Sequence, residues 1–157
     1  MFKKLLLFSV CVSFLLFAVS CKEKEKIYSH AELVIPLTED FYDTNDPLFD
    51  VSYSNGEISV AVLRISFAAG ILNGIPETFS PDRFAKYWLS QNERQAEIIV
   101  RGDYAICDYI ESGTFHLASF FRAKNAYFVI LFATREALEV KWRDKMLEFS
   151  NGVYFTD

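Results

Sequence analysis

The sequence predicts an α+β fold in which helices pack on an antiparallel sheet. Alternating apolar residues on both sides of Asn55-Gly56 indicate a hairpin. Four short apolar segments separated by turn residues between 97 and 134 indicate a meander, and residues 81–91 and 135–149 have helical periodicity. The chain has 157 residues, enough for one domain, and its 52% apolar and 24% charged composition excludes wholesale disorder.

Residues 1–20 have the layout of a secretory signal peptide. Lys3 and Lys4 precede an uncharged apolar stretch over 5–19, which ends at the small residue Ser20. A membrane-spanning helix is the weaker interpretation, because spanning takes about 20 apolar residues. We therefore expect an exported protein whose leader is removed.

The four residues Ala18-Val19-Ser20-Cys21 resemble the lipobox of bacterial lipoproteins. The resemblance implies that the Cys21 sulfur carries a diacylglyceryl group, that the chain is cut before Cys21, and that the new amine is acylated, for example with palmitate. Residues 21–30 would then form a lipidated tether at the cell envelope, on a membrane leaflet that the sequence leaves open. The alternative is an ordinary cleaved signal with an accidental cysteine.

Charge and cysteine content narrow the function classes. The chain has 21 acidic against 16 basic residues, a net charge of −5, which excludes a nucleic-acid-binding footprint. Of its three cysteines, Cys11 lies in the leader and Cys21 would carry lipid. Cys107 would be left alone, so we expect no intramolecular disulfide in the mature chain.

The expected domain covers 31–157. Its first strand is a short edge strand over 33–35 that stops at Pro36, and the turn-rich segment 38–46 follows. The hairpin comes next, with a type I′ turn at Asn55-Gly56. Its second strand is apolar on both faces up to Phe67, which predicts a central position in the sheet. Residues 68–79 are expected to form an apolar loop.

Ser80-Pro81 begins the first predicted helix, because serine caps helix N-termini and proline suits the first helical position. The meander strands are predicted over 97–101, 104–111, 114–122 and 126–134. The second helix is predicted over 135–149. Leu138, Trp142, Met146 and Phe149 form its apolar face, and Asn151-Gly152 ends it.

This order of elements resembles the Mog1/PsbP-like family of α+β sandwiches. The residues that carry the resemblance are the hairpin at Asn55-Gly56, the helix start at Ser80-Pro81, the segment 122–134 with Ala126-Tyr127-x-Val129, and residues 145–150. The family has no shared catalytic residues, and its members are mostly adaptors and accessory proteins. The resemblance therefore implies a binding role. A cone-shaped ligand-binding α+β domain is the alternative fold.

Candidate catalytic and metal-binding groups are few. His30 and His116 are too scattered to form a zinc site with one thiol. A two-residue loop at Ser112-Gly113 would pair Tyr109 with His116 and Cys107 with Ala118. This leaves the thiol and the imidazole diagonal, so a buried structural cysteine is favoured over a nucleophile. An acidic loop could offer oxygen ligands to calcium, but a solvated loop is favoured; its residues are Asp40, Asp43, Asn45, Asp46 and Asp50.

We therefore expect no enzyme, no cofactor and no metal, but a membrane-anchored accessory or protein-interaction module with an envelope protein as its partner. The alternative is a binder of a small apolar ligand held between sheet and helix. Ile71, Leu72 and Ile75 in the 68–79 segment are the candidate partner-binding residues. The segment either packs onto the sheet, which is favoured because monomers seldom expose large apolar patches, or presents these side chains to a partner.

Overall fold

The computed structural model describes residues 25–156. The predicted signal peptide over 1–20 and the predicted lipidation site Cys21 lie outside them. Within the described residues, no helix is both long and apolar enough to cross a membrane.

Ten strands over residues 25–156 form two antiparallel sheets. The strands are β1 Glu25–His30, β2 Leu33–Thr38, β3 Tyr42–Asp43, β4 Val51–Ser54, β5 Ile58–Ser66, β6 Ile99–Arg101, β7 Tyr104–Glu111, β8 Thr114–Arg122, β9 Ala126–Arg135 and β10 Tyr154–Phe155. The helices are α1 Phe67–Leu72, α2 Pro81–Gln91 and α3 Glu139–Asn151, the last preceded by a 3-10 turn over Glu136–Leu138. The large sheet has the order β3-β4-β5-β9-β8-β7-β6, and the small sheet has the order β1-β2-β10.

The predicted α+β class with an antiparallel sheet is confirmed. β5 lies between β4 and β9 in the large sheet, as its two apolar faces predicted. The register across β7 and β8 also agrees, with Tyr109 opposite His116 and Cys107 opposite Ala118. Periodicity and turn residues are local signals, and these elements carry them strongly.

The hairpin turn differs from the expected type I′. Asn55 N–H donates to the Ile58 carbonyl at 3.1 Å, so the turn is centred on Gly56-Glu57. The Asn55 side-chain oxygen accepts the N–H groups of Glu57 and Ile58 at 3.1 and 2.8 Å. Gly56 has a φ of +88°, which a residue with a side chain adopts at a cost. The asparagine thus shapes this turn through its side chain rather than through a positive φ.

The start of the domain also differs from the sequence expectation. Residues 25–30, expected in the tether, form β1 and pair along all of β2. Tyr28 explains this, because its ring is buried 4.6 Å from the ring of Tyr53 and its hydroxyl donates to the Phe41 carbonyl. β2 consequently extends through Pro36. Proline is tolerated there because β10 reaches only Val34 and Leu33, so Pro36 has a strand on one side only.

One apolar layer lies on the inner face of the large sheet, and a second covers part of its outer face. The inner layer fills the space between the large sheet, the small sheet and α3, with Leu37, Phe128, Phe132, Met146 and Phe149 among its buried members. The outer layer packs α2 against β7, β8 and β9. Phe84 of α2 stacks on Tyr127 with ring centroids 4.5 Å apart, and Phe120 meets Phe84 edge to face. These rings are fully buried, so they fill the space between sheet and helix in which the alternative prediction places a small apolar ligand.

Candidate functional site

The segment expected to be a loop over 68–79 begins as a helix. Ser66 caps α1 by accepting the Ala69 N–H at 3.2 Å, and the chain turns back when Ile75 N–H donates to the Gly70 carbonyl at 2.8 Å. A Cβ on Gly70 would lie 3.2 Å from the Ile75 carbonyl oxygen, so a small residue allows this close return. We call residues 67–79 the distal tip.

The distal tip divides the three candidate partner-binding residues. Ile71 and Leu72 are 59% and 88% exposed, whereas Ile75 is only 4% exposed and packs in the outer layer. One part of the segment is therefore packed onto the sheet, and another part is exposed. Ile75 anchors the tip to the body, and Ile71 and Leu72 face solvent.

Side-chain hydrogen bonds from the body hold the tip in place. The Tyr127 hydroxyl donates to the carbonyls of Pro76 and Phe79, at 2.8 and 3.1 Å. Tyr87 of α2 donates to the Asn73 carbonyl, and the Arg122 Nε donates to the Glu77 carbonyl at 3.1 Å. A surface fixed in this way loses little conformational entropy on binding.

The chain enters the domain at the opposite end from the tip. Glu25, the first residue of β1, pairs with Thr38, and Asp40 just beyond accepts from the Asn55 side chain at 3.0 Å. Asn55 precedes the start of β5, whereas α1 follows its end. The nine residues of β5 therefore separate entry and tip, by roughly 30 Å at strand rise.

A second concave surface lies on the outer face of the large sheet, beside the part that α2 covers. We call it the sheet cleft; its volume is about 570 Å³. Small side chains form its floor where β4, β5 and β9 meet, while Tyr42, Phe49 and His116 stand around it; the small residues are Ser52, Ser54, Ser59, Ala61 and Ala133. Small residues on an uncovered sheet face leave a hollow that longer side chains would fill.

A row of stacked groups separates the sheet cleft from the part of the sheet under α2. The Arg94 guanidinium carbon lies 5.3 Å from the Trp88 ring centroid and 4.9 Å from that of Tyr109. Tyr109 in turn stacks on His116 with centroids 4.9 Å apart. Burial lowers the pKa of His116, and the positive charge of Arg94 lowers it further by a smaller amount. The imidazole is therefore neutral near pH 7. Within residues 25–156, its Nδ1 is buried without a hydrogen-bond partner.

Cys107 lies in the outer layer and is 2% exposed. Burial raises the pKa of its thiol to about 12, and the nearby Asp108 acts in the same direction. A nucleophilic cysteine needs a lowered pKa and an imidazole within hydrogen-bond reach. Here the imidazole of His116 on β8 lies opposite Tyr109 of β7, and Cys107 lies opposite Ala118. The geometry therefore suits a structural cysteine.

The acidic residues considered for calcium are engaged in the local structure. Asp43 accepts the Asn45 N–H at 2.8 Å, and Asp46 accepts the Leu48 N–H at 3.0 Å, as in Asx turns. Asp50 accepts the Arg64 N–H at 2.6 Å. The part of the chain that the structure describes contains no group of three or more such side chains placed to hold a metal ion.

Sequence reasoning missed a cleft near the distal tip that is lined by Arg64, Arg122 and Lys124. The available signal was Arg64, a charged residue within an apolar central strand. Arg122 ends β8 and Lys124 lies in the turn between β8 and β9, which is an ordinary place for surface charge. Their convergence comes from the tertiary fold.

Comparison with known proteins supports the fold. The sequence matches no protein-family model, and no curated protein matches it. Among solved structures, the chain is similar to the solution structure of cyanobacterial PsbP (CyanoP) from Synechocystis sp. PCC 6803. The TM-score is 0.58 at 12% sequence identity, over 88% of this chain and 96% of that chain. The fold is therefore PsbP-like, as the order of elements predicted.

Proposed function

We propose that this protein is a non-catalytic accessory module of the bacterial cell envelope, anchored by lipid at Cys21, whose distal tip docks on an envelope protein. The exposed pair Ile71 and Leu72 on a rigid tip is the observation that carries the proposal. The PsbP-like fold supports it, because the family resemblance implies accessory roles. The buried high-pKa thiol of Cys107 and its separation from His116 offer no nucleophile.

The anchor and the tip suit each other geometrically. Only residues 22–24 lie between Cys21 and the first residue of β1, and β1 begins at the end of the domain opposite the tip. A lipid on Cys21 would therefore hold that end beside the membrane and direct Ile71 and Leu72 away from it. Anchoring would also raise the effective concentration of the tip near other envelope proteins.

The anchor is tested by mass spectrometry of the N-terminus of the protein purified from its native membranes. We expect the chain to begin at Cys21 with a diacylglyceryl group on sulfur and an acyl chain on nitrogen. Several acyl chains give stable anchoring, since each buried CH₂ contributes about 0.8 kcal/mol. An unmodified Met1, or a Cys21 without lipid, would contradict the proposal.

The docking surface is tested with the double variant Ile71→Ser plus Leu72→Ser in the full chain. Because both side chains are exposed, we expect the free energy of unfolding to change by no more than about 0.5 kcal/mol per site. Partner recovery from detergent-solubilised native envelope, quantified against the wild-type protein, should fall severalfold.

Ile75→Ser is the matched control, since it makes a similar change at a buried site of the same segment. It should cost about 3 kcal/mol or more of stability, because it opens a cavity and buries a hydroxyl. Unchanged recovery with the exposed double variant, or a large loss of its stability, would refute docking through the tip.

A further inference from the structure

The cleft beside the distal tip concentrates positive charge on an acidic protein. Among the residues that the structure describes, Arg64, Arg122 and Lys124 line it together with one carboxylate, that of Glu32, whereas the whole chain has a net charge of −5. Its volume is about 590 Å³, within the range of small-molecule sites. We call it the basic cleft.

Two of the cations are fixed by aromatic rings. The Arg122 guanidinium carbon lies 5.3 Å from the Phe67 ring centroid, and its Nε donates to the Glu77 carbonyl. The Arg64 guanidinium carbon lies 5.8 Å from the Phe128 ring centroid. Guanidinium groups held over rings keep their positions, so donors are oriented before a ligand arrives.

The carboxylate of Glu32 shows which kind of group these donors bind. Glu32 takes two parallel contacts from Arg64, each 3.4 Å long, in the fork arrangement that arginine offers to carboxylates. Its pKa is lowered, with the backbone and Arg64 outweighing desolvation, so Glu32 is ionised near neutral pH. This pair leaves Arg122 and Lys124 in excess, and Lys124 makes no ion pair within residues 25–156.

The rest of the lining is partly apolar. Phe155, half-buried, and Ala123, buried, contribute carbon surface beside the cations, and Asn125 and Thr156 contribute polar groups at the rim. A ligand that satisfies both parts carries a negative head and a short apolar body. We propose that the basic cleft binds small organic carboxylates, with the head on Arg122 and Lys124 and the body on Phe155.

The test is an NMR titration of the full chain in detergent, labelled with ¹⁵N-arginine, in which each Nε–H gives one resonance. Arg64→Lys and Arg122→Lys variants assign the two cleft resonances by their absence. Hexanoate is the probe, hexanol supplies the same body without charge, and inorganic phosphate supplies charge without the body. We expect hexanoate to shift the Arg122 and Arg64 resonances saturably and to leave those of Arg83 and Arg101, which are exposed elsewhere, unchanged.

A charge-matched pair of variants makes the test specific. Lys124→Gln should weaken hexanoate binding about tenfold, as loss of one charge-assisted hydrogen bond predicts. Arg83→Gln removes the same charge from α2 and should leave the affinity unchanged. The proposal would be overturned if hexanoate shifted the Arg83 and Arg101 resonances as much as those of the cleft, or if it left the Arg122 resonance unchanged. It would also be overturned if hexanol gave the same shifts as hexanoate, or if phosphate bound saturably and hexanoate did not. This test measures neither the lipid anchor nor docking by the tip. The proposed function and the proposal for the basic cleft can therefore fail independently of each other.

Discussion

His116 shows how one neighbour determines the behaviour of a side chain in this fold. The antiparallel register places it opposite Tyr109. The guanidinium group of Arg94 also packs over the Tyr109 ring. The imidazole is thus half-buried against an aromatic ring and near a cation, and both its partial burial and Arg94 lower its pKa. The same row of groups bounds the sheet cleft, so the charge of His116 would change that surface as well as the stability of the domain.

A lowered pKa in the folded state makes stability depend on pH. Above the unfolded pKa of about 6.5, His116 is neutral in both states and the contribution is fully present. As the pH falls below that value, the unfolded chain takes up a proton that the folded chain resists, so the free energy of unfolding should decrease between pH 7 and pH 5. Urea denaturation at pH 7, 6 and 5 measures this decrease.

His116→Phe is the informative variant, since phenylalanine can keep the ring contact with Tyr109 but cannot titrate. Its stability should be nearly constant over the same pH interval. Glu32 and Asp40, whose pKa values are lowered from 4.5 and 3.8, do not confuse the comparison because they titrate below it. Parallel losses of stability in both proteins would show that another group is responsible.

At the scale of elements, sequence reasoning succeeded where the signal was local. α2 begins at Pro81 after Ser80, as predicted, and the strands β7, β8 and β9 agree with the predicted meander to within a residue. The α-helical part of the last helix is later than expected, over Glu139–Asn151, because the chain first makes a 3-10 turn. Its predicted face is buried most fully at Met146 and Phe149.

The elements that sequence reasoning missed depend on distant partners. β1 has the charged composition of a linker, and it is a strand because Tyr28 reaches Tyr53 across the core. α1 is a single short helix without a clear period, and the Phe67 ring at its start packs against the Tyr127 ring, with the two centroids 5.0 Å apart. The basic cleft likewise joins β5 to the end of β8. Periodicity within a segment carries no information about such contacts.

The end of α3 gives a prediction for a close contact between elements. A Cβ on Gly152 would lie 2.6 Å from the Cγ of Pro36 in β2, although the φ of Gly152 is −84° and permits any residue. Gly152→Ala should therefore destabilise the domain by about 1–3 kcal/mol through overpacking alone. Thermal and urea unfolding measure the loss.

Removing the proline ring distinguishes overpacking from other causes. Pro36→Ala takes away the atom that the new methyl group would meet, so the double variant should lose less stability than the sum of the two single variants. Additive losses would mean that the two residues do not interact and that the contact is not the reason for the glycine.

At the scale of the whole molecule, the two ends of the large sheet have different surroundings. One end receives the chain at Glu25, and the other presents the distal tip and the basic cleft. Between them, the rings of Phe84, Phe120 and Tyr127 fill the outer layer under α2. With the proposed lipid on Cys21 at one end and the exposed Ile71 and Leu72 at the other, such a body would be suited to join a membrane to a partner.

Site-specific photo-crosslinking in the native envelope tests this account most directly. A photo-reactive phenylalanine analogue replaces Leu72 on the tip or, as control, Val140 on α3, and these side chains are 88% and 96% exposed. The account predicts one discrete crosslinked envelope protein from position 72 and none from position 140. Crosslinking to the same proteins from both positions, or to none from position 72, would contradict it.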